Sequence, residues 1–594
     1  MVFGKQINRY YLKYAPWLIL GLLALIAVDV FQMEIPKIYR MVINGIHDGY
    51  VIEDGFYYVF DAQFLLEKVC IPIFVIIVVL MSGRFLWRIC FFGTGFKVER
   101  DLRSRLFDHC KDLSLQFYQK NKVGNLMSLY TNDLETLQDC FGGGSMEFFD
   151  AVFLGSLAIY NMARMNPVLM ALSLIPMACM LTMSFVIGKY LTVKWNTRQE
   201  AFSDLSDFSQ ESFSGIAVIK AFVKEYKELL AFNRLNSQNE NANVAYTKLS
   251  ALLNVLNTLF IESVTCVILG YGGYLVYTGV FNAGQLMEFI GYFNALVWPF
   301  MAIAELVEMA SKGKASLKRV SDLLETPVDV KDSENVAETE NGIRGEIEFR
   351  HLTFTYPGGD YEALHDVSFR IEAGENVGII GKTGSGKTTV ADLLLRTYNV
   401  PDGTLFVDGR DVNTIPIKFL RNYEAYVPQD NFLFSDTIEN NIGFAFDNVN
   451  GAAAEEAARM SDVHDNIVEF HNGYQTVLGE RGVTVSGGQK QRISIARAIM
   501  KDSSILILDD SVSAVDTDTE KVILGNLART RKGKTTVLIA HRISTVRNMD
   551  KIVFLDEGRV EAVGTHEQLE ASCPEYRKMV DLQRLEDQHR EVNG

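Results

Sequence analysis

The residues best suited to chemistry form a glycine-rich loop, Gly-Lys-Thr-Gly-Ser-Gly-Lys-Thr, at positions 381–388. The loop follows the apolar run 377–380, which predicts a buried strand, and the next residues have a helical pattern. In this context backbone N–H groups converge on one point, and the helix N-terminus adds partial positive charge. Lys387 can reach the β- and γ-phosphates of a nucleotide, and the Thr388 hydroxyl can bind Mg²⁺. The residues predicted to bind the nucleotide here are Gly381, Lys382, Thr383, Gly384, Ser385, Gly386, Lys387, Thr388 and Thr389.

A second candidate element is the segment Ile-Leu-Ile-Leu-Asp-Asp at positions 505–510. Its apolar residues predict a buried strand, and the strand ends in two acids. Asp509 is suited to holding Mg²⁺ through a water molecule, together with Thr388. Asp510 follows directly as the second acid. The two elements together predict an ATP-hydrolysing site that uses Mg²⁺.

A third motif, Val-Ser-Gly-Gly-Gln at positions 485–489, precedes Lys-Gln-Arg. The Ser486 hydroxyl and the N–H groups of a helix start suit a γ-phosphate. With these motifs the chain resembles the ATP-binding-cassette proteins, with Val485 in place of the usual Leu. The resemblance assigns the signature role to Ser486, Gly487, Gly488 and Gln489, adenine stacking to Tyr356, Mg²⁺ contact and sensing of the membrane domain to Gln429, the D-loop to Asp516, and the switch histidine to His541.

The resemblance makes Asp510 the most informative departure, because that position in this family is usually Glu, the residue that polarises the attacking water. Asp is shorter by one methylene, and misplacing a catalytic group by about 1 Å can cost roughly a hundredfold in rate. The closest likeness is the degenerate-site half of bacterial heterodimeric multidrug exporters. In that family each ATP lies between one chain's P-loop and the other chain's signature. A second half-transporter with a catalytic Glu is therefore expected, with a homodimer as the alternative.

Long apolar stretches occur only before about residue 310, which predicts a membrane domain. A helix needs about 20 apolar residues to cross a bilayer. Six spans are expected, of which the third is short and opens beside Asp150: 17–36, 69–92, 148–163, 168–187, 252–277 and 286–310.

Basic residues predict the orientation of these spans. Lys and Arg are absent between Lys248 and Lys312, so the turn between the last two spans is expected outside the cell. The two loops after spans two and four are rich in Lys and Arg and are expected in the cytoplasm. Both termini are then cytoplasmic, and the chain is expected to be a multi-pass protein of the bacterial cell membrane in contact with its lipid. The net charge of −16 argues against a nucleic-acid partner.

The fold class expected is a membrane all-α domain of exporter type followed by an α/β P-loop ATPase domain. The expected boundaries are 1–325 for the membrane domain, 326–344 for a polar linker and 345–594 for the nucleotide-binding domain. The resemblance places coupling helices in the cytoplasmic loops, at 117–124 and 212–221. The second would dock in the partner's cassette. Seven Cys show no metal-binding spacing and are expected to be reduced thiols.

Carboxylates within the apolar spans are candidates for a substrate path, because intramembrane charges are costly and usually face a cavity or a partner. These candidates are Asp29, Glu262, Glu305 and Glu308. Glu305 and Glu308 share one helical face. A negatively lined cavity would favour amphipathic cations, whereas carboxylates near the cytoplasmic mouth would simply be hydrated.

The function expected from the sequence is ATP-driven export of amphipathic, cationic drugs or lipophilic compounds. A lipid or peptide exporter of the same mechanical class stays open. A nucleotide-gated channel or regulatory subunit is a more distant alternative.

Overall fold

The computed structural model describes residues 4–53, 55–334, 336–337, 342–479, 482, 485–513 and 515–593, and the side chains of 586–593 are not described. The chain divides into two compact units. One comprises Met1–Lys111 and Val123–Thr326, and the other comprises Asp112–Lys122 and Pro327–Gly594. The segment Asp112–Lys122 therefore groups with the C-terminal unit, which a division of the chain by sequence order alone does not anticipate.

The first unit is helical, with π-helical turns at Leu65–Cys70, Leu129–Asp133 and Ile268–Gly272. Helices up to residue 324 are α1 (Asn8–Lys13), α2 (Ala15–Gln32), α3 (Ile35–Asp48), α4 (Ala62–Phe64), α5 (Ile71–Cys110), α6 (Leu115–Lys120, in the second unit), α7 (Val123–Ser128), α8 (Leu134–Phe141), α9 (Gly143–Met165), α10 (Pro167–Ser214), α11 (Ile216–Ala221), α12 (Glu225–Val267), α13 (Gly273–Tyr277) and α14 (Ala283–Leu324). A hairpin of β1 (Tyr50–Glu53) and β2 (Phe56–Val59) follows α3 and is not foreseen by the hydropathy pattern.

Local sequence explains where the long helices begin. The Asn166 side chain accepts hydrogen bonds from the N–H groups of Val168 and Leu169, and Pro167 occupies the first turn of α10. Asn282 and Gln285 form a reciprocal capping box at the start of α14. These caps satisfy N–H groups that a helix start leaves unpaired, so both helices start at defined residues.

Among the described residues, five helical stretches are long and apolar enough to cross a membrane: Ala15–Asp48, Ala62–Cys110, Pro167–Ser214, Glu225–Tyr277 and Ala283–Leu324. These include five of the six expected spans. The third expected span is a helix, α9, but it is not among them. Glu147, Asp150 and several small residues in its first turns make α9 less apolar than the others. The multi-pass membrane domain is confirmed, whereas a count of six is not.

The interior of the first unit is formed by α9, α10, α12 and α14. Phe289, Tyr292, Phe293 and Leu296 of α14 are fully buried in one apolar cluster with residues of the other three helices. The pair α10 and α12 extends beyond this cluster as a long hairpin, and most of its residues are exposed in the isolated chain. None of the seven cysteines, all of which lie among the described residues, forms a disulfide bond.

The second unit contains two sheets and peripheral helices. Its strands are β3 (Ile347–Thr355), β4 (Glu362–Ile371), β5 (Asn376–Gly381), β6 (Leu405–Val407), β7 (Arg410–Asp411), β8 (Glu424–Val427), β9 (Ile505–Asp509), β10 (Thr535–Ala540), β11 (Lys551–Asp556) and β12 (Arg559–Gly564). Its helices after α6 are α15 (Lys387–Leu394), α16 (Ile417–Asn422), α17 (Ile438–Ile442), α18 (Gly451–Met460), α19 (His464–Val468), α20 (Gly487–Met500), α21 (Thr517–Thr530), α22 (Ile543–Val546), α23 (His566–Ser572) and α24 (Pro574–Asn593).

The larger sheet has the order β12-β11-β5-β10-β9-β8 and is parallel except for β12. The smaller sheet, β4-β3-β6-β7, is antiparallel. Because β5, β9 and β10 are parallel neighbours, their carboxyl ends meet at one edge, where ligands bind in open α/β sheets. The strands expected before the glycine-rich loop and before the paired acids are confirmed as β5 and β9.

Part of the expected linker 326–344 lies outside the described residues. Its described residues are tied to the second unit. Asp332 Oδ1 accepts from the Ile417 N–H at 2.8 Å, and the Ala337 N–H donates to the Thr414 carbonyl at 3.0 Å. A segment without apolar periodicity is thus held by polar contacts.

Glu424, the first residue of β8, is buried in the core of the second unit. Its side chain is 2 % exposed, and neither carboxylate oxygen has a hydrogen-bond partner. Burial raises the pKa of Glu424 well above its ordinary value of 4.5, although Arg421 and Lys501 oppose the shift. The folded state therefore favours the neutral acid. The unfolded chain ionises above about pH 4.5, so the contribution of Glu424 to stability is complete below that pH and decreases as pH rises.

We expect Glu424→Gln to raise the unfolding temperature of the full-length protein at pH 8, and to raise it much less at pH 5. The amide mimics the neutral acid but cannot ionise, and an unsatisfied buried polar group costs on the order of 1–3 kcal/mol. The measurement is thermal unfolding of detergent-purified protein at the two pH values. Glu455→Gln, an exposed position on α18, serves as control. Equal shifts at both pH values would contradict the expectation.

Candidate ATP site

The glycine-rich loop borders a cavity of about 450 Å³ within the second unit. The carboxyl ends of β5, β9 and β10 and the start of α15 supply most of its wall. It is lined by Tyr356, Tyr361, Glu362, Ala363, Thr383, Gly384, Gly386, Lys387, Thr388, Thr389, Gln429, Asp509, His541, Glu557 and Gly558. Of the predicted loop residues, Thr383, Gly384, Gly386, Lys387, Thr388 and Thr389 line this cavity together with Tyr356, Gln429, Asp509 and His541, whereas Gly381, Lys382 and Ser385 are not among the lining residues.

The backbone of the loop needs glycine at Gly386. Its φ is +91°, and a Cβ there would lie 2.6 Å from Leu364 Cδ2 and 2.8 Å from the Ala363 carbonyl oxygen. A side chain is therefore excluded by both conformation and space. The result is an open concave backbone at the N-terminus of α15, where N–H groups and the helix dipole favour a phosphate.

Lys387 is 5 % exposed, and its ammonium group donates to the carbonyls of Gly381 at 2.9 Å and Lys382 at 2.8 Å. Burial lowers the pKa of Lys387, and the nearby Asp509 and Asp510 oppose that shift. These contacts hold the ammonium group beneath the loop, beside the cavity. Nucleotide phosphates fit this arrangement, because they would supply anionic partners at the same place.

Asp509 ends β9 against the loop. Burial raises the pKa of Asp509, and a hydrogen bond from Thr388 opposes the shift. A hydroxyl next to a carboxylate at the phosphate-binding edge suits Mg²⁺, which usually takes one or two protein ligands together with phosphates and water. Thr388, Asp509 and Gln429 would hold the ion, whose charge would offset that of the transferred phosphate.

Asp510 adopts a left-handed backbone conformation with φ +46°. Its N–H donates to the Ile539 carbonyl at 2.9 Å, and its own carbonyl accepts from the Ser513 hydroxyl at 2.8 Å. The side chain accepts a hydrogen bond from Gln429 Nε2 at 3.3 Å. The amide of Gln429 therefore holds the Asp510 carboxylate near the carboxyl end of β8. Asp510 is not among the residues that line the cavity.

Tyr356 packs edge-on against Tyr398, with ring centroids 5.0 Å apart. Its hydroxyl is within 2.9 Å of Thr389 Oγ1 and 3.3 Å of Asp392 Oδ2. This aromatic is thus fixed at the base of the cavity wall. Tyr361, which the motif comparison missed, also lines the cavity and is 76 % exposed. The only signal for it was an aromatic residue in the turn before β4.

The His541 imidazole completes the cavity wall at the end of β10. Burial and the neighbouring Lys387 lower the pKa of His541. The ring is therefore neutral near pH 7 and can donate or accept a hydrogen bond at a γ-phosphate.

The signature residues lie elsewhere in the chain. Ser486 caps α20, with its Oγ 3.3 Å from the Gln489 N–H and its own N–H donating to Gln489 Oε1 at 3.0 Å. None of Ser486, Gly487, Gly488 and Gln489 lines the cavity. Asp516 likewise is exposed and caps α21 through the N–H groups of Asp518 and Thr519. Ala514, the second residue of the D-loop motif, lies outside the described residues.

The helix α6, which lies in the second unit, contacts residues close to the cavity. Gln119 Oε1 accepts from the Tyr398 hydroxyl at 2.8 Å, and Gln116 Nε2 donates to the Pro357 carbonyl at 3.3 Å. Tyr398 packs against Tyr356, and Tyr356 lines the cavity. The rings of these two tyrosines therefore connect α6 to the cavity wall.

Comparison with known proteins agrees with this geometry. Residues 18–300 match the family described as ABC transporter transmembrane region, and residues 364–513 match ABC transporter. A probable multidrug resistance ABC transporter ATP-binding/permease protein, YheI of Bacillus subtilis, is 34 % identical over 98 % of this chain and 97 % of its own length. The chain belongs to the ABC transporter family.

Other relatives and a solved structure extend this result. The multidrug resistance-like ATP-binding protein MdlA of Escherichia coli is 33 % identical over 96 % of this chain and 94 % of its own length. An ATP-dependent lipid A-core flippase of Syntrophus aciditrophicus is 33 % identical over 88 % of this chain and 87 % of its own length. The ATP-bound structure of a bacterial Atm1-family ABC exporter superposes with a TM-score of 0.77 at 25 % identity, covering 97 % of this chain and 98 % of that one. This ABC transporter therefore combines an exporter-type membrane domain with a cassette ATPase.

Proposed function

We propose that this ABC transporter is one subunit of a heterodimeric exporter that moves amphipathic drugs out of a bacterial cell. Six helices cross the membrane, α9 included, and both termini are cytoplasmic. Its own ATP site hydrolyses slowly, and its signature completes the active site of a second half-transporter. Names of relatives such as YheI and MdlA support a drug substrate.

The observation that carries the slow site is the Asp510 side chain. It is one methylene shorter than the usual Glu, and Gln429 holds it at 3.3 Å. A water poised for the γ-phosphate would be too far from the carboxylate, and errors of about 1 Å cost roughly a hundredfold in rate. The P-loop residues are complete, so ATP binds there and remains bound.

Two further observations support a second chain. The signature residues do not line the cavity of their own cassette. The tip of the α10–α12 hairpin exposes large apolar side chains, with Phe213 75 %, Phe222 69 % and Val223 79 % exposed. A contiguous exposed apolar surface of this kind marks an interaction site. We propose that this apolar surface docks in the partner's cassette. We also propose that α6 is the coupling element of the first of the two long loops.

The intramembrane carboxylates divide into two groups. Glu262, Glu305 and Glu308 are exposed on the first unit, and Glu308 pairs with Lys312 at 2.7 Å. Asp29, expected on the substrate path, is instead 1 % exposed inside the unit, so it does not line a path in this conformation. We therefore assign attraction of amphipathic cations to Glu305 and Glu262. The lipid A-core flippase among the relatives supports a lipid as the second candidate substrate.

The test compares ATP turnover of the purified chain alone, in lipid nanodiscs, with that of the chain co-expressed with a neighbouring half-transporter. We expect the chain alone to be at least tenfold slower. Asp510→Glu should raise the turnover of the chain alone severalfold, because it restores the reach of the carboxylate. In the complex the same change should alter turnover by only a few fold. Full drug-stimulated turnover by the unmodified chain alone would refute the heterodimer.

A further inference from the structure

The C-terminal helix α24 is anchored in the cassette core by its first half. Tyr576 is fully buried and Val580 is 3 % exposed, and both belong to the apolar cluster that contains Ile543 and Val546 of α22. The Tyr576 hydroxyl also lies 2.9 Å from His566 Nδ1. Exposed Arg577 adds hydrogen bonds from its guanidinium to the carbonyls of Glu570 at 2.6 Å and Ala571 at 2.7 Å, so α24 is held in place independently of Gln583.

One turn further along, the side chain of Gln583 contacts the backbone on both sides of Arg542. Gln583 Nε2 donates to the carbonyl oxygen of His541 at 2.8 Å, and Gln583 Oε1 accepts from the N–H of Ile543 at 2.7 Å. A primary amide provides a donor and an acceptor together. Gln583 therefore satisfies two backbone groups of the segment that joins β10 to α22.

These two backbone groups need a partner for local reasons. Ile543 begins α22, and the residue at the N-cap, Arg542, makes no side-chain capping bond. An Arg side chain has no acceptor, so it cannot serve the unpaired N–H groups of a helix start. Gln583 takes the place of the missing cap from a different helix. It thereby fixes the peptide groups that set the direction of the His541 side chain, which lines the ATP cavity.

We propose that Gln583 is a positioning residue for His541, so that the C-terminal helix helps to set the geometry of the ATP site. This inference rests on the proposed role of His541 at the γ-phosphate. Gln583 itself is not among the residues that line the cavity, and it acts through the backbone of His541.

The experiment is a double-mutant cycle on the complete transporter complex in lipid nanodiscs, using Gln583→Met, His541→Ala and the double variant. Met keeps the length of the side chain but removes the donor and the acceptor. The readouts are kcat and KM for ATP, and the amount of Mg-ATP retained on this chain. We expect Gln583→Met to reduce retention at least threefold, and to cause no further loss when His541 is already Ala. Lys578→Met, an exposed position on α24, is the matched control.

Further measurements distinguish a positioning role of Gln583 from a purely structural one. Gln583→Met should lower the unfolding temperature of the complex only slightly, by the loss of two hydrogen bonds, because Tyr576 and Val580 still hold the helix. Gln583→Glu, which keeps the acceptor for Ile543 but loses the donor for His541, should give an intermediate loss. Two results would overturn this inference while leaving the role of His541 intact. One is that the losses of retained Mg-ATP caused by Gln583→Met and His541→Ala add up in the double variant. The other is that Gln583→Met retains Mg-ATP fully whereas His541→Ala does not. No effect of His541→Ala would overturn both the inference and the assigned role of His541.

Discussion

Gly487→Asp should nearly abolish ATP turnover of the complete transporter complex, by about a hundredfold or more. In the proposed heterodimer Gly487 lies at the partner's γ-phosphate, where the added carboxylate would repel the nucleotide and remove the close backbone approach. The loss cannot be attributed to misfolding of this chain, because a Cβ at Gly487 meets nothing within 4 Å. The measurement is the steady-state ATPase rate of the purified complex.

The matched control for this variant is Gly525→Asp on α21. Gly525 is also exposed, and a Cβ there likewise meets nothing within 4 Å. The same substitution therefore adds the same charge to the same cassette away from the signature, and turnover should change by less than twofold. Asp510→Ala should reduce turnover by only a few fold. A loss with Asp510→Ala as severe as that with Gly487→Asp would contradict the division of labour between the two sites.

Lys387→Ala should remove nucleotide from this chain's own site almost completely. The ammonium group is buried beneath the loop and is bound there by two carbonyls, so its loss removes the positive charge that the phosphates would meet. The check is photolabelling by a reactive ATP analogue in the complex, followed by separation of the two chains. This chain should lose its label, whereas the partner chain should keep it.

Lys382→Ala is the control in the same loop. Lys382 is exposed and pairs with Asp556 at 2.8 Å, so removing its charge leaves the phosphate position intact. Labelling of this chain should stay within about twofold of the unmodified level. Equal loss of label in both lysine variants would show that loop charge in general, rather than Lys387, holds the nucleotide. Equally fast ADP release from both chains would contradict slow hydrolysis at Asp510.

Contacts within the second unit connect α6, which contains the first residues of the predicted coupling helix 117–124, to the ATP cavity. The contact of Gln119 with Tyr398, and of Tyr398 with Tyr356, leads from α6 to the wall of the ATP cavity. We therefore expect a displacement of Tyr356 at the cavity wall to move α6 as a rigid body, the type of transition that closes domains around ligands.

The sequence by itself determined the chemistry that depends on neighbouring residues. A strand, a glycine-rich turn and a helix start are contiguous, so residues 377–396 predicted β5, the phosphate loop and α15. The apolar run 505–508 predicted β9 in the same way. Hydropathy predicted five of the spans for the same reason, because each is a single continuous stretch that forms a long apolar helix among the described residues. The remaining span, α9, has acids and small residues that interrupt the apolar pattern, and its crossing of the membrane stays a prediction.

Only the tertiary structure decided which distant residues act together. Gln429 and Asp510 are 81 positions apart, and they meet because β8 and β9 are adjacent parallel strands that end at one edge. The burial of Asp29 and of Glu424 depends on which helices and sheets pack over them, and no local pattern contains that information. Gln583 reaches His541 from 42 positions away because Tyr576 and Val580 dock α24 against α22. Local pattern fixes an element, whereas contacts between elements depend on how the whole chain packs.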